Sequence, residues 1–304
     1  MSASSKKVIY AALAGNTLIA ITKFIAAALT GSSAMLSEGI HSLVDTGNQI
    51  LLLHGIKRAK QPPSAEFPFG HGKEIYFWSF VVALLVFALG AGISIYEGVL
   101  HIRHPQPIEN PMINYIVLGV ALLFEGFAWF FAWSEFRQSQ GRRSLIRAIQ
   151  AGKDPTLFVV LFEDSAAMLG LAVAFLGVWL TQQTGILYID GIASVMIGLI
   201  LAGTAFWLAY ETKGLLIGES ARNEVVEGIR GLLSGYPEIE QVNEVLTLHM
   251  GPEYILVNIS VDYQDDLRAG TIERLGAELD KKIKQQFSRV RRVFIDAQSS
   301  TMEG

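Results

Sequence analysis

The sequence contains no cysteine. Disulfide frameworks and thiolate metal sites are therefore excluded, and any transition-metal site must be built from His, Asp, Glu, Asn or water. Charge is scarce as well. Only 17% of the 304 residues are Asp, Glu, Lys or Arg, below the typical quarter of soluble domains. The net charge of −4 is too mild to suggest a nucleic-acid partner. No internal repeat and no low-complexity tract stands out. The first seven residues lack the Arg-rich amphipathic pattern of an organellar transit peptide. The expectation from that pattern is a bacterial inner membrane.

What is abundant is apolar sequence, 51% of the chain, with a mean hydropathy of +0.38. Six runs are long enough to cross a bilayer: Val8–Leu29, Ala34–Leu53, Tyr76–Tyr96, Ile113–Trp133, Leu157–Leu180 and Leu187–Leu208. The first is too long for a signal-peptide core and reads as a retained helix. Short turns, 30–33 and 181–185, join the first and last pairs. Lys6, Lys7, Lys57, Arg58, Lys60, Lys73, Arg137, Arg142, Arg143, Arg147 and Lys153 fall on one side of the predicted bundle, and Arg103 alone falls on the other. The inside-positive bias then places both termini in the cytoplasm.

Beyond about residue 212 the composition turns polar and the apolar periods shorten. Val225, Ile229 and Leu232 recur at helix spacing, as do Ile272, Leu275, Leu279 and Ile283. Leu246, Leu248 and Met250 alternate as in a strand, and so do Ile255, Val257, Ile259 and Val261, with Gly251-Pro252 between them. Val290–Ile295 closes a third strand. The predicted architecture is a six-helix transmembrane domain, 1–212, followed by a cytoplasmic α+β domain, 213–304, of order α-β-β-α-β and ferredoxin-like form.

Polar residues inside the apolar runs are few, and a charged group at mid-membrane is costly. Glu38, His41, Asp45 and Asn48 lie on the second helix, and Glu163 and Asp164 on the fifth. Asn16, Lys23, Glu125 and Asp190 are the others. His41 and Asp45, four residues apart, share one helix face. Asp45 is twelve residues from Lys57, and Asp164 eleven from Lys153. At 1.5 Å per residue both carboxylates stand about 16–18 Å deep. An imidazole with two carboxylates at one level suits a divalent cation. The competing reading has these groups pairing among themselves or with Asn16 as interhelical glue. Two acids at one depth repel unless a cation or proton lies between them, which favours the ion.

The run Ser37-Glu38-Gly39-Ile40-His41-Ser42-Leu43-Val44-Asp45 resembles the second-helix signature of the cation diffusion facilitators. Phe69-Gly70-His71-Gly72-Lys73 resembles that family's loop signature before the third helix. The resemblance extends over nearly the whole chain. It implies a homodimeric transporter, not an enzyme, that sits in the lipid bilayer and exports a divalent metal, most often zinc, in exchange for protons. The metal is cargo, and no cofactor is expected. The resemblance also implies a metal-ligand set of His41, Asp45 and Asp164. At the first fifth-helix ligand position stands Val160, which cannot bind metal. Glu163 either substitutes, as a Glu-Asp pair does in the organellar zinc-transporter branch that this chain resembles, or is structural or a proton relay. In the latter case water or Asn48 completes the shell.

His71 without His or Asp at Ser64 and Phe67, and His249 alone in the tail, point to turn-shaping and to a tail that binds little or no metal. His101 and His104 read as a solvated pair. Two other classes compete with transport. One is a membrane receptor with a structural ion in the bundle and a partner-binding tail. The other is a membrane hydrolase, for which no nucleophile–base pair is found.

Overall fold

In the computed structural model, residues 3–140 and 155–299 are described. The basic residues Arg142, Arg143, Arg147 and Lys153 lie outside them. Each of the six apolar runs falls within a helix: α1 Ala3–Thr30, α2 Ser33–Ala59, α3 Glu74–Leu85 continuing into α4 Gly92–Arg103, α5 Pro111–Gln140, α6 Pro155–Thr184 and α7 Tyr188–Ile217. Glu74–Arg103, Pro111–Phe130, Val159–Thr184 and Tyr188–Ile217 are long and apolar enough to span a membrane. Among the described residues of α1, Asn16–Thr30 forms a shorter apolar stretch.

The exposed surface of the bundle is apolar: Leu18, Ile25, Leu123, Phe124, Phe127, Leu199 and Phe206 all point outward. Its interior holds the polar residues, with Lys23, Glu38, His41, Asn48 and Asp190 buried. This inversion is what hydrocarbon demands, since a polar group facing lipid has no water to bond. Small residues let the backbones approach. A Cβ on Gly98 of α4 would meet the Gly191 carbonyl of α7 at 2.7 Å, and one on Gly191 would meet the Gly98 carbonyl at 2.8 Å. Between α3 and α4, residues Val86–Ala91 form a π-helical turn within one continuous rod. Such turns widen a helix by one residue and recur at functional sites.

α7 ends at Gly218, whose φ of +133° only glycine adopts readily. The tail then runs α8 Asn223–Leu233, β1 Ile239–Gly251, β2 Tyr254–Tyr263, α9 Ala269–Gln286 and β3 Val290–Ala297. The sheet order is β1-β2-β3, with β1 and β2 antiparallel and β2 and β3 parallel. Ile229, Leu233, Leu275, Leu279 and Ile283 of the two helices pack on Val257, Ile259 and Val261, so both helices cover one sheet face. On β1 the covered face carries Val245 and His249, while Leu246 is 51% exposed. The Leu246–Met250 alternation thus lies on the opposite face. Register shifts at Val242/Glu244 and His249/Gly251 break the strand's simple two-residue period.

The tail meets the bundle through the loop before α3. A Cβ on Gly72 would collide with the Met250 carbonyl, and Gly218 packs under Leu248. The Arg292 guanidinium lies 5.9 Å from the Phe69 ring centroid, and Lys73 Nζ of the same loop donates to the Leu216 carbonyl, at the end of α7, at 3.4 Å.

Candidate metal centre

The second helix owes its position to its first turn. Ser32 is its N-cap, and its hydroxyl oxygen accepts from the Met35 N–H. The same hydroxyl donates to Asp190 Oδ1 at 2.7 Å. Asp190 Oδ2 accepts from the Ser33 and Ala34 amides, the latter at 3.3 Å. A carboxylate from α7 therefore satisfies the orphan N–H groups of α2, a favourable place for negative charge. His101 Nε2 lies 3.8 Å from the same carboxylate. About one turn further along, the Ser37 and Ser194 hydroxyls hydrogen-bond to each other, and Ser194 also donates to the Ser94 carbonyl at 2.8 Å. This ladder sets the rotation of α2 and turns its Glu38–Asn48 face inward.

On that face His41 is 1% exposed and its Nδ1 lies 3.3 Å from Asp45 Oδ1. Neither ring nitrogen of His41 has a hydrogen-bond partner, and neither does Asp45 Oδ1. One turn on, Asn48 Nδ2 donates to Glu163 Oε1 of α6 at 2.7 Å. Asp45 lies within electrostatic reach of Glu163, Asp164 and Glu125. The four residues proposed from sequence thus occupy one region between α2 and α6, near the centre of the bundle. As placed, no three His, Asp or Glu groups among the described residues converge on a common point at metal-binding range. The pair His41–Asp45 is formed, and Glu163 is engaged by Asn48. Val160 packs among the apolar residues around Leu161 and Leu208.

The residues passed over as sites are Lys23, Glu38 and Glu125. Lys23 of α1 is fully buried, and its Nζ donates to Glu38 Oε2 at 3.0 Å, to Ser42 Oγ at 2.8 Å and to Glu125 Oε1 at 2.9 Å. Two carboxylates, Glu38 and Glu125, thus meet this ammonium directly, and Asp45 lies within its electrostatic reach. The sequence carried a signal for Glu38: it lies three residues before His41, on the same helical stripe. Gly170 of α6 makes room for it, since a Cβ there would strike Glu38 Oε1.

The other histidines are placed otherwise. His71 packs against Phe67 with ring centroids 4.5 Å apart and the planes tilted by 45°, and its Nδ1 lies 3.5 Å from Glu74 Oε1. It shapes the turn, with Gly70 at φ +81°. His54 meets the edge of Trp78. His249 is buried at the end of β1, its amide donating to the Glu219 carbonyl. His101 is not a solvated loop residue. Its side chain is 10% exposed and, with Glu97 and His104, lines a cavity of about 560 Å³ at the end of the bundle opposite the tail.

A sequence model of the cation efflux transmembrane domain matches residues 9–217. The mitochondrial proton-coupled zinc antiporter SLC30A9 of Xenopus laevis is 31% identical over 95% of this chain and 59% of that protein. Its Homo sapiens counterpart is 34% identical over 84% of this chain and 46% of that protein. The manganese efflux system protein MneP of Bacillus subtilis is 24% identical over 96% of this chain and 95% of that protein. The chain spans about half the length of the zinc antiporters it matches. The expectation of a bacterial inner membrane is corrected here, because these zinc antiporters, at 31–34% identity, are mitochondrial by name. That expectation rested on the composition of the first seven residues, a weaker guide than similarity over 84–95% of the chain.

Proposed function

Since this chain belongs to the cation efflux family, we propose that it is a secondary transporter that carries a divalent transition metal, zinc foremost, across a membrane in exchange for protons. The observation that carries the proposal is the His41–Asp45 pair, with His41 buried and Asp45 largely so within reach of Glu163 and Asp164, and with both imidazole nitrogens and Asp45 Oδ1 lacking a hydrogen bond. Buried polar atoms without partners are rare in folded proteins, and each calls for an explanation. A cation between α2 and α6 supplies one.

In this reading His41, Asp45 and Asp164 hold the ion, and Glu163 joins by exchanging its Asn48 bond for the metal. Imidazole and carboxylate donors without thiolate suit zinc and also admit Fe²⁺, Co²⁺ and Mn²⁺. The ion is cargo, and no resident cofactor takes part. All six helices span the bilayer, α2 with its polar face turned inward. The chain beyond the end of α7 forms a ferredoxin-like domain on the side of the basic loops. The chain works as a homodimer. The uncovered sheet face, with Leu246 and Phe294 exposed, supports a role of the tail in pairing.

Proton coupling follows from the donors. A ligand must shed its proton to bind metal, so metal and protons compete for one site. Acid therefore favours release of the metal, and its withdrawal favours refilling. Facing the more acidic compartment, the site therefore unloads. The receptor reading has no observation in its favour, and the matched relatives named above are transporters by name.

The test is zinc flux in proteoliposomes. Acidifying the receiving side should accelerate wild-type flux several-fold, and His41→Ala or Asp45→Ala should reduce it to the protein-free leak while leaving folded protein. Undiminished flux in both variants would remove the proposal.

A further inference from the structure

The Lys23 ammonium has three N–H donors and meets three oxygens at 2.8–3.0 Å: Glu38 Oε2, Ser42 Oγ and Glu125 Oε1. The oxygens come from α2 and α5, the ammonium from α1, and the Lys23 head is 0% exposed. The other oxygen of each carboxylate, Glu38 Oε1 and Glu125 Oε2, is buried with no partner. Two carboxylates and a hydroxyl around one point form a hard-oxygen set of the kind that takes Mg²⁺, Mn²⁺ or Ca²⁺. Here a side chain of the protein occupies its centre. We propose that Lys23 is a built-in cation filling a second ion position beside the transport site, so that the bundle accepts one divalent metal instead of two. It rests on the transport reading above only for what occupies the neighbouring site.

The physical case is one of charge. Without the ammonium, Glu38 and Glu125 would face each other across a low-dielectric interior with no counter-charge. Such a pair either takes up a proton or recruits a cation. Lysine suits the post better than a bound metal would. Its charge is covalently fixed and cannot be carried across with the cargo. Its stem also ties α1 to α2 and α5, so the second position cannot empty during the cycle. Glu38 is thereby held back from His41, one turn away on the same helix face.

The experiment compares the full-length protein with Lys23→Met, which keeps the stem and removes the charge, by counting bound Mn²⁺ with electron paramagnetic resonance in detergent. Wild type should bind one divalent ion in the bundle. Lys23→Met should gain one further Mn²⁺ per chain, and the gain should vanish when Glu38→Gln and Glu125→Gln are added. Stability in chelator provides the second readout. Lys23→Met should unfold at lower temperature than wild type, with Mn²⁺ restoring the midpoint. No added Mn²⁺, equal stability in chelator, or a Lys23→Met chain that fails to fold even with millimolar Mn²⁺ would each overturn the proposal. The extra Mn²⁺ should also appear when Lys23→Met is combined with His41→Ala and Asp45→Ala. Loss of the transport site and loss of this one are therefore read separately.

Discussion

Asp190 shows how much one side chain can organise. Its two oxygens accept from the Ser32 hydroxyl and from the Ser33 and Ala34 amides, and so dock the start of α2 on α7. Asp190→Ala would leave buried donors unsatisfied, at about 1–3 kcal/mol. The expected outcome is a thermal midpoint several degrees lower in detergent, with Ser32→Ala lowering it less because the two amide bonds remain. An unchanged midpoint in Asp190→Ala would show that the contact adds nothing. At this scale the sequence was half legible. His41, Asp45, Glu163 and Asp164 stood out because ionisable residues in apolar runs need a reason. Lys23, Glu125 and Asp190 stood out for the same reason, but their partners did not. Lys23 lies 102 residues from Glu125, and no local spacing encodes which acid a buried ammonium meets. That depends on how α1, α2 and α5 rotate against one another.

Among the elements, the long helices and the tail order were readable from hydrophobic period alone. Continuous apolar runs admit few alternatives in a bilayer, and Ile272, Leu275, Leu279 and Ile283 mark one side of a helix without ambiguity. Three features were not readable. The π-helical turn at Val86–Ala91 sits in a run whose composition is the same before and after it. The core face of β1, with Val245 and His249, was not readable because apolar Leu246 and Leu248 make the opposite face equally hydrophobic. The junction of loop and tail depends on tertiary approach: Gly72 touches the Met250 carbonyl, backbone to backbone. No rotamer can relieve a Cβ placed there. Gly72→Val should therefore separate the loop from the tail, and limited proteolysis near residues 213–222 should become faster while the tail's own strands stay protected from hydrogen exchange. Cleavage at the wild-type rate would mean that this contact does not hold the tail.

For the molecule as a whole, the inside-out distribution of polarity is the governing fact. Apolar side chains cover the bundle, and Lys23, His41 and the carboxylates gather within it. A cation held among them would bind where water is least able to compete. The central claim is that His41 and Asp45 hold the transported ion there. The most direct measurement is X-ray absorption at the zinc edge on purified, zinc-loaded protein, wild type beside His41→Gln. The account predicts a shell of nitrogen and oxygen donors with no sulfur, carrying imidazole outer-shell scattering that disappears in His41→Gln. The same imidazole scattering, undiminished in the variant at equal zinc content, would contradict it.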